Sequence, residues 1–556
     1  MATESFFSSA SLAYIASAGA GKDGKAYSIK PTDGSGDFTF SRGSNLAATR
    51  VGPTGLIEKG RENLLLQSNN FDTFPWRNAN ATPTSGQSGY DGTNDAWLLQ
   101  ATTTGQNFRY YDISVSSVYT ISIYAKAGTT NWFFFYAVSG GAAWFDLGNG
   151  VVGHLNSGIV SSSIESVGNG WYRCSATYNG NLSSMRVYLS DGNNNVNATT
   201  GANILIQDAQ LEIGLAATEV ITTGATTGKA GLLEDEPRFD YSGGATCPSL
   251  LLEPSRTQLA GYSEYFEGWN NKTNVTITSN YTTSPEGLQN ASRSVFTGNG
   301  FLLNAGAPTQ VIGTQYTLSC YAKRNDSGTQ NFGFFKNGSG TVDSAMALTS
   351  DWKRFDYTYT ASNNSQLGLA GVIGADVSIY GFQAEAAPYP TSYIPNHSGG
   401  SVTRGFDNCF DAGNSSTFND SEGVLYAEIK HFIGGDYIIS LSDGTNDNRI
   451  LFIKNANSTY RMYVESSTTQ VNLSTTTTFS DDSYHKIALS YKEDDFKLYV
   501  DGNLELYDAS GSTPVGLSQV EFYNPSGSGD FVGNAKQLLV FPEALSDADC
   551  ISLTTL

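Results

Sequence analysis

Paired cysteines, basic charge, histidine and long apolar runs are all scarce in this sequence, and each scarcity removes a class of protein. The five cysteines, Cys174, Cys247, Cys320, Cys409 and Cys550, are odd in number and far apart, with no Cys-x-x-Cys pair. Neither a zinc site nor a disulfide framework is signalled by such a set. Cys174 and Cys320 fall within strand-like motifs and read as small buried hydrophobes, and free thiols point to folding in a reducing cytoplasm. Bases number 31 against 52 acids, a formal charge of −21, whose field repels nucleic acid and anionic membrane. No stretch approaches the roughly 18 apolar residues of a spanning helix. The start, Met1-Ala-Thr-Glu-Ser-Phe-Phe, lacks the basic region of a secretory signal, so the expectation is a soluble chain without membrane insertion. The four histidines, His154, His397, His431 and His485, each lie in a different segment and none adjoins a Gly-x-Ser-x-Gly elbow. That disfavours a Ser-His-Asp hydrolase. His485, at the start of a strand-like Tyr-His-Lys, reads as structural.

Charged residues make up only 15%, while Gly reaches 60 and Tyr and Phe 31 and 30, a balance poor in helix formers and rich in strand and turn formers. The composition is that of an all-β protein. A chain of 556 residues has room for three or four domains, each with its own core.

One stretch is written twice. Tyr119-Thr-Ile-Ser-Ile-Tyr-Ala-Lys126 returns as Tyr316-Thr-Leu-Ser-Cys-Tyr-Ala-Lys323, each alternating with the period of a half-buried strand. Two more pairs follow in the same order. Gly170-Trp-Tyr-Arg-Cys-Ser-Ala-Thr-Tyr178 matches Asp351-Trp-Lys-Arg-Phe-Asp-Tyr-Thr-Tyr359, and Ile204-Leu-Ile-Gln-Asp-Ala-Gln-Leu-Glu212 matches Val377-Ser-Ile-Tyr-Gly-Phe-Gln-Ala-Glu385. Three motifs in one order at unequal spacing mean a duplicated domain with loops of different length. Short strand candidates separated by Gly, Asn and Ser turns are the sequence form of a β-sandwich.

The expected organisation is therefore three consecutive β-sandwich (jelly-roll) domains behind an extended N-terminal arm. The arm is 1–60, the first copy 61–224, an ordered connector 225–262, the second copy 263–400 and a further jelly roll 401–556. In the arm, alternation puts Phe38 and Phe40 on one face that needs a cover, expected from another subunit. In the connector, prolines and paired glycines argue against a central strand, while Leu250–Leu252 demand burial. The last segment carries its own strand train and one short helical turn at its end, after Pro542.

In that last segment Tyr484-His-Lys-Ile-Ala-Leu-Ser-Tyr491, Phe496-Lys-Leu-Tyr-Val-Asp-Gly-Asn503 and Leu538-Leu-Val-Phe-Pro-Glu-Ala-Leu-Ser546 resemble the laminin-G-like, concanavalin A-like jelly rolls. Asp501-Gly502 supplies the hairpin turn there. The duplicated domain resembles the carbohydrate-binding-module-like sandwiches of bacteriophage structural proteins, in which Tyr-x-x-Ser-x-Tyr-Ala-Lys, Trp-x-Arg and Gln-x-Glu strands recur. A linked set strengthens that likeness: Gly36-Asp-Phe-Thr-Phe-Ser-Arg-Gly-Ser44, Ala48-Thr-Arg50, Gly55-Leu-Ile-Glu58, Pro237-Arg-Phe-Asp-Tyr-Ser-Gly-Gly244 and Cys247-Pro-Ser-Leu-Leu-Leu-Glu-Pro-Ser-Arg-Thr257. This set is similar to phage virion proteins. The resemblance implies a tail-fibre, spike or head-fibre protein, assembled in the host cytoplasm and resident on the virion. It implies attachment to other virion proteins through residues 1–60, display of glycan-binding sandwiches for host adhesion, and a homotrimer. A secreted adhesion protein is disfavoured, because signal and disulfides are missing.

Trp132-Phe-Phe-Phe-Tyr136 and Trp144-Phe145 supply both parities of aromatic strands, so one face is core and the other a candidate platform for sugar stacking. The candidate glycan-binding residues are Trp132, Phe134, Tyr136 and Trp144, favoured over the second copy for their aromatic density. Trp171 and Trp352, at matched positions, read as core. The loop Asp443-Gly-Thr-Asn-Asp447 offers oxygen ligands from Asp443, Asn446 and Asp447, a candidate calcium site, although it lacks the Asp-x-Asp-x-Asp-Gly order of a calcium loop; a polar turn is the other reading. No other cofactor is signalled. Paired-carboxylate chemistry needs two acids across a cleft, and no Glu-x-Asp-x-x-Glu strand occurs, Glu493-Asp-Asp495 coming nearest. The expectation is a non-enzyme, with a virion-borne polysaccharide depolymerase as the alternative.

Overall fold

The computed structural model describes residues 2–18, 21–43, 46–304, 310–328, 331–336, 342–481, 483–525, 527 and 529–556; Met1, and Ser44 of the N-terminal motif, lie outside them. Regular structure is almost all strand, with α-helices at Ala2–Ser9 and Asp547–Thr554. Among the described residues no helix is long and apolar enough to cross a membrane. The chain divides into two compact units. One comprises Met1–Lys59, Leu232–Arg256 and Thr403–Leu556, the other Gly60–Gly231 and Thr257–Val402.

The second unit holds both copies of the duplicated domain, each a β-sandwich with a core of its own. In the first copy the twenty-residue strands Phe108–Ala127 and Trp171–Ser190 pair along their length, flanked by Asn203–Ile213 and Trp132–Ala137. The duplication extends to register. Thr120 lies opposite Thr177 as Thr317 lies opposite Thr358, and Ser122 faces Gln210 as Ser319 faces Gln383. Both ladders shift register at the next step, between Ser122 and Tyr124 and between Ser319 and Tyr321. The strand opposite each shift carries a residue of positive φ, Asp208 at 50° and Gly381 at 62°, which is how an extra residue is absorbed into a ladder.

The matched polar residues turn out to be structural. Thr120 and Thr317 hydrogen-bond their partners Thr177 and Thr358 at 2.8 Å, and donate to the Gly214 and Ala387 carbonyls. Gln210 and Gln383 donate to Glu212 and Glu385 at 2.6 and 2.8 Å. Each glutamate then accepts from the backbone N–H of Thr218 or Thr391, at 3.0 Å in both. Arg354 donates to Ser319 Oγ and the Thr391 carbonyl, and Arg173 to the Thr218 carbonyl. Burying these side chains is tolerable because each makes hydrogen bonds, so the Thr, Arg and Gln-x-Glu repeats hold a loop onto the sheet. Cys174 and Cys320 are fully buried, each in the hydrophobic core of its own copy. Trp171 is core, whereas Trp352 is half-buried, its indole N–H donating to the Thr283 carbonyl at 2.9 Å beneath Lys323.

The first unit is a jelly roll completed by distant segments. One sheet contains Glu422–His431, His485–Lys492, Phe496–Val500, Asn503–Asp508 and Gly533–Phe541, and the facing sheet Tyr437–Ser442, Asn448–Lys454, Tyr460–Ser466, Thr468–Ser474 and Gln519–Glu521. Asp501 and Gly502 both take positive φ, 49° and 82°, as the expected hairpin turn requires. Three expectations are corrected. Ser249–Leu252 is a sheet strand, wholly buried between Arg238–Asp240 and Gly533–Phe541, with Pro248 and Pro254 just outside it. The face of Phe38 and Phe40 needs no other subunit, because its own chain covers it. Leu12–Ile15 pairs with Gly533–Phe541, Phe38–Ser41 pairs with Asn408–Phe410, and Phe38 packs on Tyr14 and Phe522 at ring-centroid distances of 5.5 and 5.3 Å. The helix Asp547–Thr554 is two turns rather than one, with Ser546 Oγ accepting from the Asp549 N–H.

Three arginines and two carboxylates form a buried ionic network in this unit. Glu253 accepts from Arg238 at 2.6 Å and Arg404 at 2.7 Å, while Asp407 accepts from Arg42 at 3.1 Å, from Arg238 and from the Glu253 N–H at 2.9 Å. Arg42, Arg238 and Glu253 belong to three of the linked sequence motifs, so those motifs close one ionic network in the first unit.

Candidate functional site

Strand alternation in Trp132–Ala137 puts Phe133 and Phe135 into the core and Trp132, Phe134 and Tyr136 on the opposite face. That face carries a ladder of rings. Phe108, Tyr188, Phe134 and Trp144 stack in succession across neighbouring strands at 4.2, 4.4 and 4.5 Å between centroids. Arg186 lies over Phe108 and Tyr136, and the Trp144 indole donates to the Asn195 carbonyl at 2.9 Å. Phe134 and Trp144 are consequently buried, 2% and 3% exposed. They are not a sugar platform, because the ladder and its loop already occupy their faces. Tyr136 is half-buried beneath Arg186, and Trp132 stands half-buried at the rim.

Trp132 borders an open cleft of about 590 Å³, within the roughly 300–1,000 Å³ usual for small-molecule sites. One wall is the turn Thr129, Thr130 and Asn131 leading into the Trp132 strand; the other is Asp191 with Thr199, Thr200, Gly201 and Ala202, from the loop between Trp171–Ser190 and Asn203–Ile213. The walls are tied at the base. Thr130 Oγ1 donates to the Ser190 carbonyl at 2.6 Å, Thr129 Oγ1 donates to the Gly201 carbonyl at 3.2 Å, and Thr199 Oγ1 donates to Asp191 Oδ2 at 2.7 Å. Gly128 permits the turn to approach, since a Cβ there would stand 2.2 Å from Asn203 Oδ1. A Cβ on Gly153 would stand 2.6 Å from the Trp132 ring, so the indole rests directly on backbone. Of the four aromatic candidates read from the sequence, Trp132 borders this cleft, and the hydroxyl walls were not among them. Their signal was the pair of Thr-Thr dipeptides, 129–130 and 199–200, each next to a strand-breaking glycine.

The proposed calcium ligands form a turn. Asp443 Oδ1 accepts from the Thr445 N–H and hydroxyl, both at 2.7 Å, and Oδ2 from Asn448 at 3.0 Å. The Asn446 side-chain oxygen accepts from Arg449, and the Asp447 N–H donates to Thr445 Oγ1 at 3.1 Å. Lone pairs spent on the loop's own donors are not arranged around a cation, and among the described residues no group of three or more His, Cys, Asp or Glu could hold one.

Elsewhere in the first copy, Asp208 sits at the ladder shift with its carboxylate pushed up to about 6, first by burial and then by the Asp95 and Asp91 carboxylates, against a hydrogen bond from Tyr90 at 3.0 Å. A carboxylate whose folded pKa exceeds its unfolded value weakens the fold progressively as pH rises from the unfolded value to the folded one, and fully above it. Asp208→Asn keeps an acceptor for Tyr90 and tolerates the positive φ. It should stabilise this unit at pH 7.5 by up to ~2 kcal/mol, after allowing for screening at a partly exposed site, and by almost nothing near pH 4. All seven tryptophans, from Trp76 to Trp352, lie in this unit, so urea titration followed by indole emission at the two pH values is the measurement. Equal gains at both would contradict the assignment.

Comparison with known proteins bears on fold. A family profile described as the Concanavalin A-like lectin/glucanases superfamily matches residues 429–550. No curated protein matches the sequence. Among solved structures, the CBM40 domain of the Ruminococcus gnavus IT-sialidase bound to α2,3 sialyllactose is 16% identical over 25% of this chain and 84% of its own, with a TM-score of 0.22. The tandem CBM22-1-CBM22-2 domain of Paenibacillus barcinonensis Xyn10C is 11% identical over 62% and 99%, with a TM-score of 0.22. The LG1-3 region of the laminin α2 chain is 11% identical over 80% and 97%, with a TM-score of 0.15. Scores this low carry no argument about ligands. The laminin-G-like, concanavalin A-like character of the C-terminal jelly roll thus stands on the profile match and on the two facing sheets of Glu422–Phe541.

Proposed function

We propose that this protein is a bacteriophage virion component, a fibre, spike or head-surface appendage, that holds cell-surface or environmental glycans in the first copy of its duplicated sandwich. The observation that carries the glycan part is the cleft beside Trp132, where an indole and a set of hydroxyls face one open volume; ring stacking plus hydrogen bonding is how proteins hold sugars. The virion part is supported by the resemblance of the linked motifs, whose arginines and glutamate hold the first unit together. Trimeric assembly and contact with other virion proteins belong to the same proposal. Residues 1–60 could supply that contact through what they leave exposed, such as the turn before Leu56, which is 40% exposed. We read the protein as non-catalytic, since Asp191 is the one carboxylate lining the cleft and glycoside hydrolysis uses a pair.

Trp132→Ala should weaken retention on immobilised host glycan about fivefold, in keeping with the roughly 1 kcal/mol of an aromatic contact, while the unfolding midpoint stays put. Unchanged retention would remove the cleft from the proposal. Immunogold labelling of purified particles tests the virion assignment, and sustained release of oligosaccharide from host capsule would favour a depolymerase.

A further inference from the structure

We infer that the cleft selects uncharged sugars and turns acidic ones away, an inference that rests on the glycan reading above. The argument concerns which hydrogen-bonding groups remain available. A threonine hydroxyl has one proton and two lone pairs. Thr130 spends its proton on the Ser190 carbonyl, Thr129 on the Gly201 carbonyl and Thr199 on Asp191. Thr129 Oγ1 also accepts from the Asn203 N–H at 2.9 Å and Thr130 Oγ1 from the Trp132 N–H at 3.4 Å, so what these hydroxyls still offer a ligand is their remaining lone pairs. The Asp191 carboxylate, exposed to solvent and oriented by Thr199 and by its own N–H on the Asn197 carbonyl at 3.0 Å, adds a charged acceptor. Among the side chains lining the cleft, the neutral donors are the Asn131 amide, the Trp132 indole and the hydroxyl of Thr200, which shares one proton with Thr104 at 3.1 Å, and none is Lys, Arg or His.

An acceptor-rich cleft suits a ligand made of donors. Neutral pyranoses present rows of O–H groups, and O–H to carboxylate bonds are among the stronger ones. A uronic or sialic acid would bring its own carboxylate to a site that supplies no cation and already holds Asp191, and the overall charge of −21 repels it at longer range. Recognition of anionic groups normally relies on arginine or lysine.

The test uses the full-length protein and five immobilised hexasaccharides: neutral hexamers of β-linked glucose, β-linked xylose and α-linked mannose, and acidic hexamers of galacturonic acid and sialic acid. The expected result is retention of at least one neutral hexamer at least tenfold above both acidic ones, lost in Trp132→Ala and weakened severalfold in Asp191→Asn, with thermal midpoints as the folding control. Retention of an acidic hexamer as strongly as any neutral one, and still dependent on Trp132, overturns the charge selectivity while leaving the glycan site in place. Absence of Trp132-dependent retention for all five overturns the site and the selectivity together. Neutral binding untouched by Asp191→Asn, in a variant with an unchanged midpoint, overturns the part assigned to the carboxylate.

Discussion

Asp407→Asn should destabilise the first unit by about 3–5 kcal/mol, the range for breaking a buried ion pair by removing one partner. The side chains of Asp407, Arg238 and Arg404 are 0% exposed and that of Glu253 is 2%. Burial alone would pull the Arg238 guanidinium down, yet Asp407 and Glu253 together hold it above its ordinary value. Arg42, by contrast, is lowered by burial and by the neighbouring Arg238, with Asp407 opposing. Three cations share two anions, so converting one carboxylate to an amide leaves three positive charges against one and turns an amide N–H₂ toward a guanidinium. Water cannot reach the site to compensate. Glu253→Gln should cost about as much, since it serves Arg238 and Arg404 together. Hydrogen exchange in Glu422–His431 and Gly533–Phe541 reports the first unit, and tryptophan emission reports the second because every tryptophan lies there. Unaltered exchange in those two strands would show that the network is dispensable. Faster exchange with an unshifted indole transition is the expected pair of results.

Removal of residues 2–41 should leave an insoluble or partly unfolded product. Taken alone, the sequence argues the opposite, since it reads residues 1–60 as an extended arm ahead of three β-sandwich domains. Leu12, Tyr14, Ala26, Phe38 and Phe40 all belong to the same buried cluster as Leu425, Leu489 and Leu538. The pairing of Leu12 through Ile15 with Val540 back to Gln537 also covers part of one edge of Gly533–Phe541, and an uncovered apolar edge invites aggregation. Phe38→Ala alone should cost about 3–5 kcal/mol, the usual range for emptying a phenylalanine site. Size-exclusion chromatography and circular dichroism of the deletion and of Phe38→Ala are the measurements. A monodisperse deletion product with native strand content would restore the arm. The same result bears on any particle-incorporation assay, because a truncated protein that fails to incorporate would have lost its fold as well as any contact made by those residues.

Alternation and repetition made the fold class, the duplication and the strands at Tyr119–Lys126 and Tyr316–Lys323 legible in the sequence, since period-2 patterning is a local property of the backbone. It also assigned Phe133 and Phe135 to one face and Trp132, Phe134 and Tyr136 to the other. What it could not say is what covers a face. Whether Phe38 meets solvent, a second subunit or Phe522 depends on a partner hundreds of residues away, and whether Phe134 offers its ring to a sugar depends on Tyr188, Trp144 and the loop that receives the indole N–H. The same limit hid the cleft, whose two threonine pairs become neighbours only when the strands between them pair. It hid the meaning of Arg42, Arg238 and Arg404 as well. A charge in sequence reads as surface, and only tertiary structure, by bringing Glu253 and Asp407 to it inside the jelly roll, makes burying it tolerable.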